Sequence, residues 1–106
     1  HHIATIENSK SPLRGGPWTP RFKGIFDKAG MSMNDPANKV QLIGHKGPHP
    51  EAYHDAVYRR LSEATEFCPN KRECARALRE ELQKLAAELT NKDSKLYRLL
   101  TGGASR

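Results

Sequence analysis

The sequence predicts an α+β domain that is mostly helical, and two observations carry that expectation. Apolar residues recur at helical spacing through the second half, as in Cys74, Leu78, Leu82, Leu85 and Leu89. Two stretches in the first half, His1 to Glu7 and Val40-Gln41-Leu42-Ile43, have the composition of extended chain instead. The 106 residues fit one domain of modest size, with a core over about 1–65 and a helical part over about 70–100.

Taken in order, His1 to Glu7 reads as a first strand, and Asn8 to Gly16 as a polar, glycine-rich loop. Thr19-Pro20 resembles an N-cap followed by proline at the first helical position. Phe22, Ile25 and Phe26 then repeat at helical spacing until Gly30, which predicts a helix over about 20–29. Asn34 to Asn38 is a turn by composition, and Val40 to Ile43 is the best strand in the chain. Gly44 to Pro48 interrupts regular structure. Pro50 suits the first turn of a helix that places Tyr53, Val57, Leu61 and Ala64 on one face until Pro69 breaks it. Asn70 with Glu73 resembles a capping arrangement for the leucine-striped helix, and a last turn carries Leu96, Leu99 and Leu100.

Cys68 and Cys74 match neither a CxxC redox motif nor paired zinc knuckles. A local disulfide is geometrically open to them; otherwise Cys74 is simply a core residue. No run reaches the roughly 18 apolar residues of a membrane span, and no signal-peptide pattern is present.

Net charge is +6 with 28% charged residues, and four of those six charges fall in residues 1–49. A polyanion such as nucleic acid is the natural partner for such a surface, although small basic proteins without one are common. All five histidines also lie in residues 1–54. Adjacent side chains on a strand point to opposite faces, so of His1 and His2 one can bind a metal while the other activates water beside it. The preferred assignment has His1 as ligand, His2 as general base, and His45 and His49 as the remaining ligands of a divalent ion, Mg2+ or Zn2+, with Ni2+ or Mn2+ as further candidates.

Asn38 would orient the base or its strand, with a plain turn residue as the blander reading. His54 is a reserve ligand or a phosphate contact. Lys39, Lys46, Arg21 and Lys23 are candidate DNA phosphate contacts, each with a solvated basic face as its ordinary alternative. The blander readings of the rest are a purification-tag remnant for His1-His2 and a polar loop for His45 and His49.

The combination resembles the AHH family of toxin nucleases, a branch of the HNH/endonuclease VII superfamily named for an Ala-His-His motif. His1-His2-Ile3-Ala4 matches the histidine pair and the residues just after it. Ile25 to Asn38 is similar to the family's apolar helix, its glycine and its Asn-Asp-x-Ala-Asn turn. His45-Lys46-Gly47-Pro48-His49, continuing to Tyr53 and Val57, is similar to its His-x-Gly-x-His-x3-Tyr element. The likeness covers about residues 1–65. The alanine before the pair is absent, Lys39 stands where many relatives have glycine, and His54 where many have a second tyrosine.

The resemblance implies a ββα-metal core, a short two-stranded ribbon plus a metal-binding helix, with additional helices around it. It further implies a metal-dependent DNA endonuclease at the end of a larger secreted toxin. Such a domain is released by a bacterium, acts in the cytoplasm of a competitor and is neutralised in the producer by a cognate immunity protein. No membrane association or small-molecule cofactor is expected of the toxin domain itself, and the abrupt start at His1 suits an excised toxin end.

Three other readings compete. One is a non-catalytic basic nucleic-acid-binding module built on a structural zinc, which a closed four-ligand site would favour. A zinc peptidase is disfavoured because His45-x3-His49 lacks the glutamate and is broken by Gly47-Pro48. The third is a small helical interaction protein with incidental histidines.

Overall fold

The computed structural model describes residues 2–6, 17–42 and 50–101. Among the described residues four helices carry the fold: α1 (Trp18–Ala29), α2 (Glu51–Ala64), α3 (Lys71–Leu89) and α4 (Lys95–Thr101), with a 3-10 turn at Pro36–Asn38 between the first two. The chain is therefore mostly helical, and the described residues contain no sheet. Helix α3 is the hub, in contact with α1, α2, α4 and the 3-10 turn.

The apolar stripes become the core as their periodicity requires. Phe22 and Phe26 of α1, Tyr53, Val57 and Leu61 of α2, and Leu78, Leu82, Leu85 and Leu89 of α3 are fully buried. Each such side chain contributes roughly 1.5–3 kcal/mol relative to an exposed position. Asn70 caps α3 by accepting from the Glu73 N–H at 2.9 Å, the arrangement its sequence signals. Cys68 and Cys74 form a disulfide with a Cα–Cα separation of 5.1 Å. Cys74 is also a core residue, so the two alternatives were not exclusive.

Three expected boundaries move. Helix α1 starts at Trp18, with Pro17 in the capping position and no side-chain cap. Trp18 is drawn into the core, and the Thr19 hydroxyl is used elsewhere, donating to the Thr5 carbonyl at 3.0 Å. Pro20 consequently sits deeper in the first turn, where its missing N–H still costs nothing. Helix α2 stops at Ala64, well before Pro69, because the Thr65 hydroxyl turns back onto the Leu61 carbonyl at 2.8 Å.

The third change concerns the expected strands. Val40 to Leu42 form no strand, and Ile43 lies outside the described residues. Among the described residues pairing is limited to one antiparallel bridge between His2 and Lys39. Towards Ala37 the ladder stops because a side chain takes over its next partner, the Asn38 amide accepting from the Ala4 N–H and donating to the Ala4 carbonyl, while on the other side Val40 falls opposite His1, outside the described residues. The Ala4 groups are the backbone groups that a longer ribbon would have used.

Candidate functional site

The end of α1 prepares the site. Gly30 adopts φ 67°, and its N–H closes the helix onto Asp27 and Phe26. A side chain there would be strained, and its Cβ would lie 2.7 Å from the Lys71 side chain, so both conformation and space demand glycine. The chain then descends beside α3 to Asp35. The Asp35 carboxylate accepts from the Ala37 N–H at 2.9 Å and meets Arg79 of α3 at 3.2 Å. That backbone bond, with Arg79 assisting against partial burial, holds the Asp35 carboxyl below its ordinary pKa.

Asn38, at the end of the 3-10 turn, is fully buried and polar, which is tolerable because its amide is bonded throughout. Its oxygen accepts from the Ala4 N–H at 2.8 Å. Its nitrogen donates to the Ala4 carbonyl at 3.0 Å and to the Met33 carbonyl at 2.9 Å. The Asn38 carbonyl meanwhile accepts from the Ile3 N–H at 2.8 Å. From the other side the Tyr53 hydroxyl of α2 donates to the Ile3 carbonyl at 2.9 Å. Burial pushes the Tyr53 phenol far up, so it keeps the proton that this bond needs.

The segment His2-Ile3-Ala4 is thus clamped from both sides, with Ile3 and Ala4 completely buried. His2 remains half-buried at the edge, and its Nε2 lies 3.1 Å from the Asn34 Oδ1. Sequence reasoning did not single out Asn34 as a site residue. Its signal was its place in the Asn-Asp-x-Ala-Asn turn, which was already tied to the site through Asn38.

His54 has 3% exposure, with its ring centroid 5.9 Å from Trp18 and 5.7 Å from Tyr53. Burial pushes its pKa down while the Glu51 carboxylate pulls the other way, which favours the neutral imidazole. The ring is enclosed among aromatic neighbours, away from the open surface where a phosphate would approach. Arg21, Lys23 and Lys39 are all exposed. Lys23 is paired with Asp27 at 2.9 Å, and the Arg21 guanidinium carbon sits 5.3 Å from the Trp18 ring centroid and 5.8 Å from that of Tyr58. His1, His45, Lys46 and His49 lie outside the described residues.

Among the described residues no group of three or more His, Cys, Asp or Glu side chains could hold a metal ion. The residues that the sequence assigns to a metal, His1, His45 and His49, all lie outside the described residues. By chemistry they fit a divalent cation: three neutral imidazoles leave open positions, a set better suited to Zn2+ or Ni2+ than to oxygen-preferring Mg2+.

Fold and site together define a small helical domain that immobilises a histidine-bearing segment through one buried asparagine and one buried tyrosine. The chain belongs to the AHH family, described as a nuclease family of the HNH/ENDO VII superfamily with conserved AHH; the family model matches residues 1–89. No curated protein and no solved structure matches it. No helix among the described residues is long and apolar enough to cross a membrane.

Proposed function

We propose that the chain is a metal-dependent DNA endonuclease in which His2 is the general base. The observation that carries this reading is the clamp on the His2 segment: Asn38 and Tyr53 hold the backbone at Ile3 and Ala4, and Asn34 reaches the ring. When the Nε2–H donates to Asn34 Oδ1, the basic lone pair is on Nδ1, which is the atom that would take a proton from the attacking water. Fixing the ring in advance matters because a catalytic base must stay within hydrogen-bond reach of the proton it removes. Asn38 is a positioning residue here, acting through the backbone that carries His2.

His1, His45 and His49 would hold the divalent cation, which supplies polarisation of the phosphate and stabilises charge on the departing 3′ oxygen. His54, neutral and enclosed behind Trp18, is the reserve donor. Exposed Arg21, Lys23 and Lys39, with Lys46, would neutralise phosphates without reading bases, as suits a nuclease that cuts many sequences. In this reading the domain acts as the toxic end of a larger secreted bacterial protein. It works in the target-cell cytoplasm and is restrained in the producer by an immunity protein.

Plasmid cleavage with and without a divalent cation is the test. His2→Ala should lower the rate by at least ~10²-fold, with metal affinity little changed. A His2→Ala protein that cuts at the parental rate would remove His2 from the mechanism, and cutting that persists in chelator would remove the metal.

A further inference from the structure

The solvent face of α1 carries an arrangement that packing does not explain. Gly24 lies at its centre, well inside a helix of 12 residues, although glycine is the poorest helix former after proline. Helical glycines usually allow a neighbouring element to come close. A Cβ built at Gly24 meets nothing within 4 Å, so no neighbour among the described residues uses the gap. Gly30 is the contrast, since there both φ and the Lys71 side chain require the glycine.

Arg21 and Lys28 lie three residues before and four after Gly24, on the same helical face. Neither has a carboxylate partner among the described residues. Lys28 Nζ donates to the Thr65 carbonyl at 2.6 Å, a neutral acceptor that leaves its charge uncompensated. Arg21 is held over Trp18 and Tyr58 with its N–H edge open to solvent, so little freedom remains to be lost when it meets an anion. The two cations are seven residues apart, roughly 10 Å along the helix, which matches the axial rise of about three base pairs of B-form duplex. Thr19, on the opposite side of α1, bonds the Thr5 carbonyl, so it is the start of the helix that lies beside the clamped segment.

We infer that this face is a seat for a nucleic-acid backbone: Gly24 lets a phosphodiester strand lie directly against the helix, with phosphates held by Arg21 and Lys28. The inference rests on the nuclease reading and adds a surface that holds the strand outside the His2 segment. The face has two cations without a carboxylate partner among the described residues, and the apolar side chain between them, Ile25, is half-buried against the core. The face therefore suits a polyanion better than a protein hot spot or an inserted lipid anchor.

The test is fluorescence anisotropy of a short labelled duplex with His2→Ala protein in chelator, over about 50–200 mM salt. Gly24→Gln should weaken duplex binding at least about fivefold while the thermal midpoint holds or rises, because glutamine is the better helix former. Arg21→Ala should reduce the slope of log affinity against log salt by about one unit. Lys92→Ala, an exposed cation beyond the end of α3, controls for net charge alone.

A Gly24→Gln protein that binds within about twofold of its parent, with Arg21→Ala keeping the parental slope, overturns the seat while the nuclease reading stands on the parent's binding and cutting. A parent that binds no duplex overturns both. Variants that lose binding to phosphatidylglycerol vesicles while keeping duplex affinity overturn the seat in favour of a lipid surface.

Discussion

Helix α3 and the His2-to-Asn38 clamp are held together by opposite means. In α3 five side chains, Cys74, Leu78, Leu82, Leu85 and Leu89, are buried along one stripe, and the load is shared among many dispersed contacts. The clamp has almost no regular structure, and one asparagine amide makes three of its bonds. A distributed apolar interface weakens by degrees when one member is lost. A polar junction that passes through one residue loses its geometry together with its bonds, because each abandoned group is left buried and unsatisfied. In the proposed reading the catalytic base sits on the second kind of structure, where position is specified more sharply than stability.

That contrast can be broken by substitution. Leu82→Ala should have the largest effect on stability, about 2–5 kcal/mol in urea unfolding, while per-molecule cleavage by the folded fraction stays near parental. Asn38→Ala should cost roughly 2–3 kcal/mol from the orphaned Ala4 and Met33 groups, and in addition should lower the cleavage rate of the folded protein sharply. If Asn38→Ala retains full activity once stability is corrected for, the clamp is structural only and the contrast fails. Asn38→Asp sharpens the same point. It keeps the acceptor but loses both donors, so it should not rescue either readout.

Reducing the Cys68–Cys74 disulfide should cost less, about 2 kcal/mol, because the bridge closes a short loop with a sequence separation of 6. The loss should appear as a lower urea midpoint in reductant, with cleavage by the folded protein unaltered, since the bridge ties the turn after α2 to α3 and none of the clamp's hydrogen bonds runs through either cysteine. The smallest effect concerns Asp35. Its pKa is lower in the folded chain than its ordinary 3.8, so the stability it contributes is fully present above that value. It is lost as pH falls through 3.8 towards the folded value. Urea midpoints should therefore drop less between neutral and acid pH in Asp35→Asn than in the parent, and equal drops would remove Asp35 and Arg79 from the account.

The same contrast explains how far each region was legible. The helices were readable because burial on a helix imposes a local period: Leu78, Leu82, Leu85 and Leu89 announce their face without reference to any other part of the chain. The Asn70 cap and the Gly30 stop are equally local. The start of α1 was misplaced at Thr19 because that hydroxyl is drawn off by Thr5, a partner 14 residues away. The strand expected at Val40 has suitable β-branched and apolar residues, but propensity for extended chain needs a partner to become a ladder.

By itself, then, the sequence determined which segments are helical, which faces they bury and which family motifs stand in the first half, since periodicity and caps act within a few residues. Only the tertiary structure decided that Asn38 reaches back 34 residues to occupy both backbone groups of Ala4, that Tyr53 closes the other side through Ile3, and that Asn34 meets the His2 ring. Those contacts join residues 32 to 50 positions apart. They arise from how α2 and α3 pack the intervening chain, and a side-chain amide leaves no periodic trace by which its distant partner could be read.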